Sequence, residues 1–400
     1  MHELLQEAQQ LLGDAVRLRR SIHREPELGL DLPLTQAKVL DALRELPLEL
    51  RTGQRTTSVI ADLRGGLPGP AILLRADMDA LPLHEDTGLD FASCTAGRMH
   101  ACGHDAHTAM LVGAARILAR RQAELRGTVR FMFQPGEEGY AGAAVMLAEG
   151  LLDIEPAAAF ALHATPRWAA GTITTRPGPV LASADTFSIV VHGRGGHASA
   201  PHMAADPVPV ACEIVMALQM FVTRSVNVFA PGVVTVGKIE AGTTNNVIPE
   251  TATLVGTVRT VSPATRTLIK DGLRRVARGV ADAHGVRATV DIHDGYPVTV
   301  NDADFARFVL QVGGQLLGRQ NAPEQPTPQM AAEDFAYVLE RVPGAMVSLG
   351  TRPNGVAEGA AANAHSNRYL LEEEAMITGQ AMYAAVALEF LKPGVGHTAA

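Results

Sequence analysis

The stretch MHACGHDAHTAMLVGAARILARRQAELRGTVRFMFQPGEEG, residues 99–139, sets the fold class of this chain. Apolar residues recur at helical spacing between Met110 and Leu118, and they predict a helix over His104–Arg120. The segment Thr128–Phe133 after this helix is predicted as a strand. Strands that alternate with helices are the mark of α/β folds, so this stretch predicts that fold class.

The same alternation continues on both sides of this stretch. An amphipathic helix opens the chain, with apolar residues at helical spacing from Leu4 to Leu18. The whole pattern predicts an α/β/α layer around a mostly parallel sheet, as in metallopeptidase-like catalytic domains. The other strands predicted in this layer are Val59–Leu63, Ala71–Leu74, Ala157–Leu162 and Ala345–Leu349, and the other helices are Thr35–Leu46, Gly142–Glu149, Asp302–Leu317, Glu333–Leu339 and Glu372–Leu391.

The sequence between residues 183 and 296 predicts a different order of strands and helices. Asp206-Pro207 and Ser262-Pro263 are typical helix starts, with a capping residue followed by proline. With four strands around these helices, the element order is the β-α-β-β-α-β of a ferredoxin-like α+β module. We therefore expect a discontinuous larger domain, residues 1–182 and 297–400, with a smaller domain inserted at residues 183–296. The four predicted strands of the insert are Thr186–His192, Val233–Ile239, Thr251–Thr260 and Ala288–Ile292.

Composition argues against several classes of protein. The 400 residues carry 34 Lys and Arg against 42 Asp and Glu, a net charge of −8, which argues against a dedicated nucleic-acid-binding protein. Three cysteines are too few for a disulfide framework. The first 25 residues show no apolar signal core, so we expect a cytoplasmic protein.

The longest apolar segment, residues 207–222, is the candidate for a membrane span. It contains Glu213 and follows Asp206-Pro207, so we predict a buried helix of a soluble domain and no membrane contact. Met216 and Met220 within it stand at helical spacing, and we expect them to pack in the core.

Residues 99–107 concentrate groups that bind metal ions. A thiol, three imidazoles and a carboxylate fall within nine positions, directly before a helix. Thiolate and imidazole are the preferred ligands of zinc-like ions. A core cysteine beside a helix-capping cluster is the alternative, and the segment alone does not exclude it.

The pair Glu137-Glu138 follows the predicted strand Thr128–Phe133. Adjacent side chains of an extended chain point apart, so one carboxylate can bind a metal while its neighbour faces a bound water. A solvated acidic turn is the alternative interpretation of this pair.

Further candidate ligands also follow predicted strands. Asp77 and Asp79 come after one strand, His163 after another and His365 after a third. Ligands gather at the carboxyl ends of strands in open parallel sheets, so these side chains are expected to converge. Five or more ligands of this kind indicate two metal ions rather than one.

Six stretches carry a family resemblance: DMDALP, MHACGHDAH, QPGEEG, GRGGHASAP, GTTNNVIP and MAAEDFAY. They resemble the hippurate hydrolase / N-acyl-L-amino-acid amidohydrolase family, di-metal enzymes related to aminoacylase-1 and glutamate carboxypeptidase. The motifs follow the family order from HREPELG at residues 23–29 to His365-Ser366, and so cover nearly the whole chain.

The resemblance implies roles for the candidate residues of the larger domain. Glu137 falls on the catalytic general base, and Asp79 on the aspartate that orients a ligand. Asp77 stands where related branches have a histidine ligand. The implied ligands of two divalent metal ions are Cys102, His104, Glu138, His163 and His365.

In the inserted domain, the resemblance implies a lid and a dimer contact. His197 matches a histidine that reaches the active site of the partner subunit, and Asn246 and Arg259 match positions that bind the substrate carboxylate. A homodimer or higher homo-oligomer is therefore expected. The thiol of Cys102 points to zinc, cobalt or nickel, and the family adds manganese.

The predicted function is hydrolysis of the amide of an N-acyl amino acid, hippurate-like or N-acetylated, to a carboxylic acid and a free amino acid. A dipeptidase or carboxypeptidase, or an N-acetyl-diaminopimelate deacetylase, would use the same site. A non-catalytic metal-dependent binding protein is the alternative from another class, although Glu137 beside Glu138 argues against it. Departures from the family pattern at Gly136, Ala164 and Thr165 leave the acyl-group preference open.

Overall fold

The structure is a computed structural model, and it describes residues 1–394. The helices are α1 (His2–Arg24), α2 (Pro33–Leu43), α3 (His104–Ala119), α4 (Gly142–Ala148), α5 (Pro207–Ser225), α6 (Pro263–Ala283), α7 (Ala303–Leu317), α8 (Ala336–Leu339) and α9 (Ala375–Phe390). The strands are β1 (Glu49–Thr52), β2 (Val59–Arg64), β3 (Leu67–Asp77), β4 (Arg126–Gln134), β5 (Ala158–Ala169), β6 (Ile173–Thr174), β7 (Gly178–Leu181), β8 (Ser183–His192), β9 (Gly196–His197), β10 (Gly232–Ala241), β11 (Val247–Ile248), β12 (Thr251–Thr260), β13 (Arg287–His293), β14 (Thr299–Asn301) and β15 (Gly344–Arg352).

The chain forms two compact units. Unit 1 consists of Met1–Gly178, Val300–Pro326 and the chain from Asp334 onward, and unit 2 of Pro179–Thr299 with Thr327–Glu333. The short segment 327–333 groups with unit 2, where Ala182 N donates hydrogen bonds to the carbonyl oxygens of Gln329 and Ala331.

Unit 1 is built on a seven-stranded sheet in the order β1-β2-β4-β3-β5-β15-β6. The four central strands, β4, β3, β5 and β15, are parallel, and the strands at both edges are antiparallel to their neighbours. The predicted α/β class is confirmed, with a mixed sheet whose parallel strands lie in the middle.

Helices α3 and α9 lie in the core of unit 1. Nearly every residue of both helices is buried, and they pack against each other and against α1. Helices that are buried on all sides carry apolar or small residues around their whole circumference. As a result α3 brings its first turn, His104–His107, into the interior of the unit.

Unit 2 contains a four-stranded antiparallel sheet in the order β10-β12-β8-β13. The first strand of the module, β8, lies in the middle beside the third, as the predicted ferredoxin-like order requires. Residues of β12 alternate between buried and exposed, because α5 and α6 cover only one face of the sheet. Both helices start as predicted: Asp206 accepts a hydrogen bond from Val208 N, and Ser262 accepts one from Thr265 N.

Helix α5 differs from its prediction. Its inner face, which includes Ile214 and Leu218, belongs to the core of unit 2, but Met216 is 70% exposed and Met220 is 64% exposed. The prediction that both methionines pack in the core is wrong. A helix that is apolar on both faces gives no periodic signal to say which face is buried.

By length and composition, α5 is also the one helix among residues 1–394 that could cross a membrane. Core helices of globular domains pass the same test, and the inner face of α5 does form part of a core.

Candidate metal centre

The carboxyl edge of the parallel strands collects the predicted ligands of unit 1. Asp77 is the last residue of β3 and pairs with Gln134, the last residue of β4, so Glu137 and Glu138 follow at the same edge. His163 lies inside β5 rather than after it, because the strand continues to Ala169. The ladder of β5 with β15 runs on through His163, which pairs with Ser348.

The remaining ligands come from loops and from the start of α3. Gly103 adopts a left-handed conformation before the helix, with φ of 89°. Tyr369 Oη lies 3.0 Å from the point where a Cβ of Gly103 would stand, so a side chain at this position would be both crowded and strained. His365 also has positive φ, 68°, and its backbone N–H donates to Ala101 O at 2.8 Å. This bond joins the loop of His365 to the segment of Cys102.

The structure brings all five proposed ligands together. Cys102 Sγ lies 3.3 Å from His163 Nε2, and His365 Nε2 lies 3.2 Å from Glu138 Oε1. The ligand atoms form two groups, each within 4.8 Å of one another, that share the thiol: Cys102 with His104 and His163, and Cys102 with Glu138 and His365. Two overlapping groups of this kind could hold a pair of ions.

The donor atoms themselves fit metal ions. Both ring nitrogens of His104 are buried and have no hydrogen-bond partner among the described residues. The nearest oxygens to the His104 ring, from Asp79 and Asp77, lie 3.4 and 3.5 Å away. Burying an unpartnered polar group is unfavourable by about 1–3 kcal/mol. A cation held by sulfur, nitrogen and oxygen would satisfy these atoms.

The pKa values of three proposed ligands are also shifted in this cluster. Burial lowers the pKa of His163 to about 3, so its ring is neutral and can offer a lone pair. Hydrogen bonds to Cys102 and Glu138 raise the pKa of His365 to about 10. Burial raises the pKa of the Cys102 thiol. When no ion is bound, a proton on His365 therefore supplies part of the positive charge that a metal would bring. Metal binding would release this proton.

Asp79 fixes the Glu137-Glu138 dipeptide. Its two carboxylate oxygens accept the backbone N–H groups of Glu137 and Glu138, each at 3.0 Å. Gly136 and Gly139 on either side have φ of 74° and 88°, which the tight turn requires. The carboxylate of Glu137 lies within 4.8 Å of ligand atoms of His104 and Glu138. A buried, fixed carboxylate beside the metal ligands is placed to accept a proton from water.

Buried polar side chains behind the centre hold it in place. Arg75 donates to Asp77 at 2.7 Å and to Gln134 at 2.8 Å. Gln134 in turn donates to Asp334, which also accepts from Ala143 N at 2.9 Å. His107 bonds Asp77 at 2.6 Å. Sequence reasoning assigned no role to His107, although it is the third histidine of the segment 99–107 and follows His104 by three positions on the helix.

Unit 2 holds the other three predicted residues. His197 in β9 pairs with Val247 in β11, and Asn246 O accepts from Ala198 N at 3.1 Å, so His197 and Asn246 lie close together. The hairpin joins the start of β12, since Gly193 N donates to Glu250 O. Arg259 lies at the other end of β12, eight residues from Thr251, or about 26 Å along an extended strand. Asn246 and Arg259 therefore lie far apart within a single chain.

Comparison with known proteins supplies relatives along most of the chain. Residues 73–389 match the sequence model of peptidase family M20/M25/M40. N-acetylcysteine deacetylase of Bacillus subtilis (strain 168) is 40% identical over 378 residues, covering 94% of this chain and 97% of that protein. Hippurate hydrolase of Campylobacter jejuni is 34% identical over 390 residues, covering 97% of this chain and 100% of that protein.

A solved structure has the same fold. The crystal structure of the YxeP protein of Bacillus subtilis, described as a dinuclear metal-binding peptidase from the M20 family, superposes with a TM-score of 0.83. The two sequences are 36% identical, and the match covers 96% of this chain and 99% of that one.

Proposed function

This chain belongs to peptidase family M20/M25/M40, and from that premise we propose that it hydrolyses the amide bond of N-acyl amino acids to a carboxylic acid and a free amino acid. The observation that carries the proposal is the pair of overlapping ligand groups around Cys102, with the carboxylate of Glu137 beside them. The relatives support the same chemistry, because two of them are named for removing an acyl group from an amino acid.

Two divalent ions would be held by the proposed ligands Cys102, His104, Glu138, His163 and His365. When bound, such ions acidify water and stabilise the negative charge that develops on the acyl oxygen. The thiol favours zinc, cobalt or nickel, and manganese is the further candidate from the family resemblance.

Glu137 supplies the proton transfers. Its carboxylate accepts a proton from the attacking water and passes it to the amine that leaves, so that the amide and one water give an acid and an amine. Asp79 keeps this carboxylate in place through the backbone of the dipeptide. Glu138 takes the ligand role, since it lies against His365 and His104.

Metal-stripped protein reloaded with single divalent ions tests the proposal. The assay would compare hippurate, N-acetylcysteine, N-acetyl-methionine, N-acetyl-diaminopimelate, a long-chain N-acyl amino acid and several dipeptides. We expect turnover only after reloading, and faster turnover of N-acyl amino acids than of dipeptides. Faster turnover of dipeptides would assign the site to a peptidase. Metal binding without turnover of any substrate would assign it to a binding protein.

We further propose that the enzyme is a homodimer formed through unit 2. Phe229 is 92% exposed in the loop after α5, and Met216 and Met220 are exposed on α5 itself. Strand β10, which follows this loop, lies at the edge of its sheet. An exposed apolar surface next to an open strand edge is typical of an interface.

The separation of the substrate-binding candidates supports the same assembly. His197 and Asn246 lie at one end of β12 and Arg259 at the other, about 26 Å along the strand. In a dimer, Asn246 of one copy and Arg259 of the other can bind one substrate carboxylate, and His197 beside that Asn246 can stabilise the negative charge that develops on the acyl oxygen. We propose that each active site is completed in this way.

A double substitution tests the interface. Met216→Lys with Met220→Lys should turn the dimer into a monomer in sedimentation-velocity experiments, because two charges would have to be desolvated in the interface. Leu67→Lys, at an exposed apolar position of unit 1, is the matched control and should leave the dimer intact. An unchanged dimer in the double variant would place the interface elsewhere.

We also propose a cytoplasmic location. The thiols of Cys94, Cys102 and Cys212 are all free, as is usual in a reducing compartment.

A further inference from the structure

His107 is a buried histidine whose two ring nitrogens both have fixed partners. Nε2 lies 2.7 Å from the backbone N of Ala164, and Nδ1 lies 2.6 Å from Asp77 Oδ1. A backbone N–H can only donate, so Nε2 must accept. The ring proton is therefore on Nδ1, which donates to Asp77. A neutral ring with its lone pair already in use has none to offer a metal, so His107 is not a ligand.

Asp77, the partner of His107 Nδ1, is also held in place by a hydrogen bond. Arg75 donates to Asp77 Oδ2 at 2.7 Å. Asp77 is thus a carboxylate that accepts the proton of His107.

Ala164 joins His107 to a proposed metal ligand. Its N–H donates to His107 Nε2, and its C=O accepts from His163 Nδ1 at 2.7 Å. The proton of the His163 ring is therefore on Nδ1, and Nε2 faces Cys102 Sγ at 3.3 Å. Both backbone groups of Ala164 are thus occupied by histidines that lie 56 positions apart in the sequence.

We propose that His107 is a positioning residue that acts through Ala164: it fixes the tautomer and orientation of the His163 ring and thereby sets the affinity for the ion that His163 binds. This inference rests on the proposed function, in which His163 is a ligand. Groups that orient a ligand from outside typically change metal affinity by about 10–100-fold when they are removed. Asp77 contributes to the position of the His163 ring by holding His107. This role explains why Asp77 need not bind the ion itself, although related branches have a histidine ligand at its position.

Two substitutions of His107 separate its two contacts. In His107→Asn the amide reaches the position of Nδ1, so the contact with Asp77 is kept and that with Ala164 is lost. In His107→Gln the amide reaches the position of Nε2, so its oxygen can still accept the N–H of Ala164. We expect the asparagine variant to bind one of two zinc ions about 10–100-fold more weakly, and the glutamine variant to stay within a few-fold of the wild type.

Zinc affinity would be measured on metal-stripped protein by competition with a chromophoric chelator. The thiolate-to-cobalt absorption of the cobalt-loaded protein gives a second readout, since it reports on the ion that Cys102 and His163 share. This band should change in His107→Asn and persist in His107→Gln. Thr108→Val is the matched control: it removes a buried hydrogen bond to Asp77 from the same helix turn but does not touch the imidazole. Its zinc affinity and cobalt band should match those of the wild type.

The outcomes distinguish this inference from the function on which it rests. If His163→Ala keeps both ions, the proposed ligand set is wrong. If His163→Ala loses an ion while His107→Asn binds both normally, the ligand set stands and the role of His107 is overturned. Equal losses in the asparagine and glutamine variants would also overturn the route through Ala164.

If His107→Asn does not fold, the wild type and His107→Gln still test the proposal. Histidine nitrogen NMR of the metal-stripped protein should show a neutral ring protonated at Nδ1 that disappears in His107→Gln. If the ring that disappears in His107→Gln is instead protonated at Nε2, the proposal is contradicted.

Discussion

The metal centre of unit 1 and the exposed surface of unit 2 differ in one respect. A single chain brings together the side chains proposed for the first, but not those proposed for the second. Around the metal centre, polar side chains converge from several strands and are tied to one another, as Arg75 is to Asp77 and Gln134. On unit 2, Met216 and Phe229 are exposed, and the predicted substrate residues lie at opposite ends of one strand. The difference is that the groups proposed for the chemistry converge within one chain, whereas those proposed for substrate recognition do not.

The sharpest test of the metal centre separates its two adjacent glutamates. Glu137→Gln should keep both ions and lose about 10²–10⁴-fold in kcat, because the amide cannot accept the proton of water. Glu138→Ala should instead lose metal, since it removes a ligand oxygen. Metal content by elemental analysis, together with kcat, checks both expectations. Loss of metal in Glu137→Gln with retention in Glu138→Ala would show that the two roles are reversed.

Mixed dimers test whether unit 2 completes the site of a neighbour. Glu137→Gln and His197→Ala subunits should each be nearly inactive alone. A heterodimer should recover activity, because one of its two sites combines Glu137 of one copy with His197 of the other. Separately tagged subunits, purified as a verified heterodimer, allow the measurement. A heterodimer as inactive as its parents would show that His197 acts within its own chain or has no role.

Arg259 tests carboxylate recognition. A charge-assisted hydrogen bond contributes about 1.5–3 kcal/mol, so Arg259→Ala should lower kcat/KM on N-acyl amino acids by about 10–100-fold. The corresponding C-terminal amides should be poor substrates of the wild type and should change little in the variant. Equal wild-type rates on the acids and the amides would refute carboxylate recognition.

The smallest effect is expected for His23, a buried residue near the end of α1. Burial alone would lower its pKa, but hydrogen bonds to Asp105 and Glu85 raise the pKa to about 9. Because the folded pKa lies above the ordinary value, the stabilisation is complete below about pH 6.5 and is lost as pH rises through 9.

His23→Gln should therefore reduce the free energy of unfolding by roughly 1.5–3 kcal/mol at pH 6, and by much less at pH 10. Urea denaturation of metal-stripped protein at both values measures this difference. Arg307→Gln, which breaks the exposed pair with Asp304, is the control and should change the stability by under about 1 kcal/mol at either pH. A loss for His23→Gln that does not depend on pH would show that the ring acts only through packing.

The fold was predictable where local chemistry marks an element. Asp206-Pro207 and Ser262-Pro263 predicted the starts of α5 and α6, and the strand predicted at Thr251–Thr260 is β12. Strand β1 was not predicted, because its four residues are all exposed and show no alternation. The end of β5 was placed too early, since the strand runs on past His163 and through Pro166 to Ala169.

The candidate site was predictable as a set of residues but not as a geometry. The family resemblance picked out Cys102, His104 and the other proposed ligands, and the structure brings them together. The contact of His107 could not be predicted, because its partner is a backbone N–H of β5 that no side-chain pattern reports. The separation of Asn246 from Arg259 depends on how a hairpin joins a strand, which sequence distance does not reveal.

The bond between the loop of His365 and the segment of Cys102 has a consequence for the newly made protein. These two proposed ligands are about 260 positions apart in the sequence. At about 5–20 residues added per second, some 13–50 seconds separate their synthesis. All of residues 179–299 are made in that interval, while the thiol and the first imidazoles are already present. A growing chain can therefore bind soft ions through the thiol and the first imidazoles before the ligand set is complete. Hydrolysis starts only after His365 has been added and has folded back onto the segment of Cys102.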